Sequence, residues 1–461
     1  MLASQLSEDP HVTVLLLEAG GDNTKIMESK APMLFSKLFH SEHDWNYYTT
    51  EQPTLAGRRL YWPRGRMLGG SSSMNAMMYH HSAPSDFDEW ATVHGCQGWS
   101  YKDLVPYWRR MEGFTPKTAR PRIDLAHRGR TGLWDVGYSW LTEIGEKGFL
   151  PACEDAGIPA NPDVNTPEGT LGVTRFQTFI DPKGQRASLA TAYLPAAVRR
   201  RSNLSIACHA HVTRLLVDRL SGPEPTVIGV ELQTQRGGPR FEVHARREVV
   251  LCGGAINTPQ LLLLSGIGPA DELRRHDIPV VRESAAVGQN LKDHLVPTPI
   301  ICKARWGTTL DYLANPLWAL PALARWQLLG SGPLTHNAGE AAAFLRSWEH
   351  HPFPGSSSDR PAPEDNTSGS RGPDLEIIGV PMAYIHHGEE PGPDGASTFT
   401  LAPIGLRPKS KGSITLRTRD AFDARESPFA FFSLFSLFCP RRDRDTHEAS
   451  NSDHRPQISQ R

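Results

Sequence analysis

Between Pro63 and Tyr79 the chain reads Pro-Arg-Gly-Arg-Met-Leu-Gly-Gly-Ser-Ser-Ser-Met-Asn-Ala-Met-Met-Tyr, which sets a glycine pair among basic, hydroxyl and amide side chains. Adjacent glycines at Gly69 and Gly70 let the backbone approach a ligand closely, because no Cβ stands in the way and a positive φ carries no penalty there. Backbone N–H groups and the hydroxyls of Ser71, Ser72 and Ser73 around such a step can line a site for an anion such as a pyrophosphate. A Gly-Gly-Ser-Ser run taken alone is more often a turn or a linker. Here it runs into Met74, Met77, Met78 and Tyr79, side chains that seek burial, and that is not linker composition. A second glycine constellation, Gly253-Gly254 and then Gly266 and Gly268, brackets Ala255 to Ser265.

These groups need elements to hold them. His11 to Leu17 is a short apolar, partly β-branched run, which predicts a strand buried on both faces as in a parallel sheet. It ends at Glu18-Ala19-Gly20-Gly21, and Leu2 to Leu6 before it reads as the last turns of a helix. Helix, loop, buried strand and acidic residue form the second half of a dinucleotide-binding βαβ unit, in which the carboxylate accepts hydrogen bonds from the adenosine ribose. Glu18 is placed for that role, and a solvated strand-end carboxylate is the other reading of the same residue. The turn Gly-x-Gly-x-x-Gly that should open the helix is not found ahead of Leu2. Farther on, Leu204–Ala207, Val212–Val217 and Val227–Leu232 alternate like strands, and Glu248–Cys252 reads as another buried strand. Thr258 as N-cap with Pro259 in the first helical position predicts a helix through Leu264, stopped by Gly266 and Gly268. The segment from Ile300 to Arg346 predicts a packed helix pair. Pro352 to Pro373 predicts a flexible loop, and Leu375–Ile378, Thr398–Leu401 and Ser413–Leu416 predict strands of a second sheet. Beyond Asp423 no core-forming periodicity is visible, so 424–461 reads as a disordered tail.

Composition excludes several classes. Lys+Arg 49 against Asp+Glu 50 leaves a net charge of −1, which gives no pointer to nucleic acid or to an anionic membrane surface. Six cysteines (Cys96, Cys153, Cys208, Cys252, Cys302 and Cys439) lie far apart without a Cys-x-x-Cys pair, which argues against structural zinc and against a disulfide scaffold. No apolar run reaches the roughly 18–20 residues of a membrane span, and the first ten residues lack the basic start and apolar core of a secretory signal. The default expectation is a cytoplasmic protein whose partner is a small molecule.

Taken in order, these motifs resemble a known family. Glu18-Ala19-Gly20, Asp44-Trp45-Asn46-Tyr47, the Pro63–Tyr79 run, Asp86-Phe87-Asp88-Glu89-Trp90-Ala91, Gly254 to Pro269, Val287 to His294 and Gly332 to Phe344 together resemble the glucose–methanol–choline (GMC) oxidoreductases, with closest flavour to the fungal aryl-alcohol oxidase and choline-dehydrogenase-like branch. The resemblance runs from Leu2 to Asp423 and implies an α/β (α+β overall) fold. It implies an incomplete Rossmann-like FAD-binding domain at 1–120 and 186–299, and a mostly antiparallel-sheet substrate domain at 121–185 and 300–423. It places Glu18 on the ribose of FAD, Leu68, Gly69 and Gly70 against the pyrophosphate and flavin, and Val212 beside the adenine. It runs Asn75, Ala76, Met77 and Met78 alongside the isoalloxazine. The implied chemistry is oxidation of an alcohol to an aldehyde or ketone, with hydride passing to the flavin, a histidine taking the hydroxyl proton, and an electron acceptor left unspecified. That histidine belongs to a His-Pro segment not found here. His447 and His454 lack its context, His80, His81, His294 and His386 fit no better, and no catalytic base is assigned. His80-His81-Ser82 stands where the family pattern has a basic residue and a small one. With the first glycine turn and the His-Pro segment both missing, the expectation is a chain truncated at both ends, with weak FAD binding and impaired activity. The alternative is a non-catalytic protein that keeps the fold as a binding module.

Overall fold

The computed structural model describes residues 1–116, 123–220, 222–347, 349, 365–390, 392–423 and 429–432. The predicted N-terminal pair forms as the helix Leu2–Leu6 and the strand Val14–Leu17. That strand lies parallel to Leu204–Ala207, with Val14 opposite Leu204 and Leu17 opposite Ala207. Val14 and Leu16 pack with Leu68, Ala190, Leu194, Val198 and Leu204. Burial on both faces does not hold, since Leu15 is 42% exposed. Successive strand residues point to opposite faces, and in this two-stranded sheet the helices around Ala190 and Val198 cover only one.

A three-stranded antiparallel sheet follows, built from His211–Asp218, Thr226–Gln233 and Arg240–His244. The strand predicted at 248–252 is absent: those residues have no regular structure, and Val250 is 48% exposed. The helix after it begins at Gly254 instead of Thr258 and runs to Leu264. Pro259 therefore sits inside it, where its missing N–H removes a helical hydrogen bond.

The second unit is a five-stranded antiparallel sheet in the order Ile300–Lys303, Thr398–Gly405, Leu375–Val380, Ala341–Leu345, Gly172–Arg175. Ala342 and Phe344 join the core on one face, while Ala341 and Ala343 join a second cluster around Phe149 and Phe399 on the other. The expected helix pair at 300–346 is thus a single helix, Pro316–Leu329, between two strands. Ala341–Leu345 is too short and too uniformly apolar for periodicity to separate helix from strand. The strand predicted at Ser413–Leu416 lies instead at Lys411–Ile414, sharing only Ser413 and Ile414, and it pairs with Phe429–Phe432 and not with the large sheet. Phe429–Phe432 corrects the reading of 424–461 at those four residues, and the remainder of that stretch lies outside the described residues. Of the predicted flexible loop, 352–364 also lies outside them, whereas Asp365 pairs with Arg346 at 2.7 Å. Among the described residues no helix is long and apolar enough to cross a membrane.

Candidate functional site

The glycine pair forms a left-handed step, with φ of +90° at Gly69 and +54° at Gly70. The two glycines are required for different reasons. A Cβ on Gly69 would lie 2.3 Å from Ser73 Oγ, while a Cβ on Gly70 would meet nothing within 4 Å. Gly69 is thus fixed by packing, and Gly70 borders open space. The hydroxyls expected to face an anion are turned inward. Ser72 Oγ donates to Gly69 O at 2.6 Å, Ser73 Oγ donates to Leu68 O at 2.9 Å, and Ser71 Oγ accepts from Gly65 N at 3.2 Å. They hold the turn in shape together with backbone bonds from Gly70 N to Met67 O at 2.8 Å and from Ser72 N to Gly69 O at 3.2 Å.

The turn lies directly against the end of the first strand. Leu68 N donates to Gly21 O at 2.9 Å, and a Cβ on Gly20 would fall 1.8 Å from Arg66 O, so only glycine fits there. Glu18 Oε1 accepts from Gly20 N at 2.8 Å. Burial pushes the Glu18 carboxyl up to about 7, opposed by the Gly20 N–H and by nearby Arg66. Ala210 N donates to Glu18 O at 2.9 Å, which brings the following strand, with His211 and half-buried Val212, to the same place. Glu18, Leu68, Gly69, Gly70 and Val212 therefore converge. Three buried polar atoms on these segments have no hydrogen-bond partner among the described residues: Arg66 Nε, His211 Nδ1 and Asn23 Oδ1. Sequence reasoning missed Arg66, although its cation precedes the glycine pair by only a few residues; its guanidinium lies 5.3 Å from the Trp45 ring centre.

Asn75, Ala76, Met77 and Met78 lead away from this junction toward the five-stranded sheet. Met77 is fully buried with φ +58°, a left-handed conformation held by Asn75 Oδ1, which accepts from Met77 N at 3.1 Å. The same oxygen accepts from Arg186 Nη1 at 3.0 Å, so the acceptor side of the Asn75 amide is engaged within the protein. Arg186 is buried and also donates to Asn75 O, Ser72 O and Ser29 O. Burial brings its pKa down to about 9. Four oxygens, none of them from a carboxylate, thus hold a cation behind the turn. Its sequence signal was a lone cation directly ahead of the small and apolar run Ala187-Ser188-Leu189-Ala190. On the sheet side, buried Asn337 donates from Nδ2 to Ala76 O at 2.9 Å. It follows His336, whose Nε2 lies 3.0 Å from Glu340 Oε2. Thr142 N and its hydroxyl donate to that same carboxylate.

His80 comes next along this path. Its ring keeps accessible surface, yet protein encloses it enough that burial pushes its pKa down to about 4, with His294 a lesser cause. The ring lies 5.7 Å from Phe344 and 6.1 Å from Phe176, centre to centre. Asp293, beside His294, shows the same combination: it is exposed by area, and burial raises its carboxyl. His81 instead packs on Trp108 at 4.3 Å, with its Nε2 2.6 Å from the Tyr79 hydroxyl. His386 is exposed and paired with Glu390. His447 and His454 lie outside the described residues.

The structure thus joins a glycine cradle and a half-buried carboxylate, on a parallel strand pair, to a run that leads past His80 onto an antiparallel sheet. The chain belongs to the GMC oxidoreductase family, whose model matches residues 16–296. It is 39% identical over 433 residues to the dehydrogenase str4 of Strobilurus tenacellus, a match spanning 92% of this chain and 69% of that protein. It is 34% identical over 428 residues to an oxygen-dependent choline dehydrogenase of Burkholderia multivorans, covering 91% of this chain and 68% of the relative. A solved formate oxidase from Aspergillus oryzae superposes with a TM-score of 0.81 at 27% identity, over 93% of this chain and 74% of that one.

Proposed function

We propose that the chain is an FAD-dependent oxidoreductase acting on CH–OH groups, taking an alcohol to an aldehyde or ketone. The observation that carries this reading is the pairing of the Gly70 cradle, open where a Cβ would project, with the half-buried Glu18 carboxylate one hydrogen-bonded step away. The cofactor is FAD, and the donor set fits it. Glu18 suits ribose hydroxyls, the side-chain-free Gly69-Gly70 step lets the pyrophosphate approach closely although Leu68 N and Gly70 N donate to Gly21 O and Met67 O, and Val212 lies on the strand that would flank the adenine. The three unpartnered polar atoms at Arg66, His211 and Asn23 are what a polar ligand at this junction would satisfy. When bound, the flavin supplies hydride acceptance.

The remaining work falls to the protein. Arg186 and Asn337 fix the Asn75–Met77 backbone from opposite sides, which sets where Ala76, Met77 and Met78 meet the ring. His80 keeps accessible surface beside the core rings of Phe344 and Phe176, and its imidazole is neutral at pH 7 because burial opposes its charging. We assign the proton-abstracting role to none of the described histidines. His81 and His336 are tied into internal networks, and His80 lies beside the core rings of Phe176 and Phe344. The test is to titrate the purified chain with FAD and then add primary alcohols with an artificial electron acceptor. Saturable binding and alcohol-dependent reduction of the acceptor are expected. FAD binding without turnover of any alcohol favours the binding-module reading, and no FAD binding refutes the proposal.

A further inference from the structure

The helix Pro316–Leu329 is apolar except at Arg325 and Gln327, yet it is buried on one side only. Ala322 and Trp326 pack against Ala31 and Leu334, and Trp326 Nε1 donates to Gly184 O at 2.8 Å. The opposite side carries Leu317, Leu320, Pro321, Ala324 and Leu328, spaced at helical intervals along one stripe. Leu317 is 78% exposed, Leu320 65% and Leu328 82%. At one end of the stripe Trp318 meets Trp306, which is also exposed, with ring centres 6.0 Å apart. At the other end the stripe borders a hollow of about 610 Å³ whose walls include Lys25, Lys30, Lys183, Met27, Leu328 and Leu329. Among the described residues no carboxylate lines it. The nearby Asp181 is turned into its own loop, accepting from Lys183 N and Gln185 N.

We propose that this face docks in plane on an anionic lipid bilayer, with the leucine stripe in the acyl boundary, Trp306 and Trp318 at the headgroup level, and the three lysines on lipid phosphates. Charge complementarity selects a bilayer. The five stripe residues are apolar, while the groups bordering them are cations (Arg325, Lys25, Lys30 and Lys183) and the amides Gln185 and Gln327, and a fluid apolar layer beneath negative headgroups meets both properties. The overall charge of −1 hides this patch because carboxylates elsewhere cancel it. The inference is independent of the redox reading.

The test is flotation of the full-length chain with vesicles of phosphatidylcholine alone and of phosphatidylcholine with 30% phosphatidylserine. Binding to the anionic vesicles is expected, weakened by salt. Each lysine near such a surface contributes roughly fivefold, so the triple change Lys25→Gln, Lys30→Gln, Lys183→Gln is expected to weaken binding on the order of a hundredfold. The double change Leu320→Asp, Leu328→Asp alters only exposed positions; it is expected to abolish binding while leaving the circular dichroism spectrum unchanged. No binding to anionic vesicles, or binding that neither set of changes affects, overturns the proposal. So does a concentration-dependent dimer that Leu320→Asp disrupts in a chain that ignores vesicles, since the occupant of the face is then a second copy.

Discussion

Gly70 and Gly57 offer a matched pair for separating a ligand-contacting glycine from a merely left-handed one. Their φ angles are +54° and +74°, and a Cβ on either would meet no protein atom within 4 Å. Replacement by alanine therefore has the same internal cost at both, about 1–2 kcal/mol for placing a side chain in the left-handed region. In a chain of 461 residues that amounts to a drop of a few degrees at most in the unfolding midpoint. The difference lies outside the protein. Gly57 sits on the turn after Pro53–Leu55, while Gly70 borders the space assigned to the cofactor. A methyl group there displaces the bound pyrophosphate or flavin, and a loss of about 1.4 kcal/mol or more is a tenfold or greater rise in Kd. The assay is fluorescence titration of FAD against the apoprotein of each variant, with thermal unfolding followed in parallel. Gly70→Ala is expected to weaken FAD at least tenfold, and Gly57→Ala less than twofold, at equal loss of stability. Equal FAD affinity in the two variants would refute the placement of the cofactor along this turn.

Arg128 is buried between Glu112 and Asp163, 3.0 Å from the latter, and Arg128→Met leaves two carboxylates without their cation. A loss of about 3–5 kcal/mol is expected, read by urea denaturation. Burial raises Glu376 in the large sheet from 4.5 to about 7. A carboxyl whose folded pKa lies above its unfolded one holds its proton longer in the native state, so it costs nothing below pH 4.5, and stability falls as pH rises toward 7. The full penalty above that range is about 3 kcal/mol, and Glu376→Gln is expected to remove it, flattening the stability profile between pH 4.5 and 7. Glu18→Gln is expected to act in the same direction in the apoprotein, because Glu18 is raised in the same way. His80→Ala removes the accessible ring that follows the Asn75–Met78 run; a severalfold higher KM for aromatic alcohols is expected, with the flavin absorption spectrum unchanged.

Much of this site is legible in the sequence because it is local. The glycine step, the acidic residue at a strand end and the strand that follows Ala210 are short-range features whose conformations their own residue types dictate. What escapes the sequence is contributed across long separations. Arg186 reaches back to Asn75 and Ser29, and Asn337 reaches Ala76 across more than half the chain. Neither residue type signals its partner in advance, because a buried arginine or asparagine becomes recognisable only once the surrounding oxygens are assembled. The strand at Ala341–Leu345 was misread for a related reason: alanine carries no preference strong enough to overrule the neighbours that pair with it. The misplaced helix start at Thr258 shows the limit of capping signals, since Gly254 begins the helix without any side-chain cap.

The central claim is that the junction of Glu18, Gly70 and Val212 holds FAD. Isothermal titration of the apoprotein with FAD, set beside the same titration of Glu18→Gln, tests it most directly. The account predicts one site per chain, with affinity at least tenfold weaker in the variant because the carboxylate's charge-assisted hydrogen bonds to the ribose are lost. FAD binding that is equally tight in both proteins, or no binding in either, contradicts it.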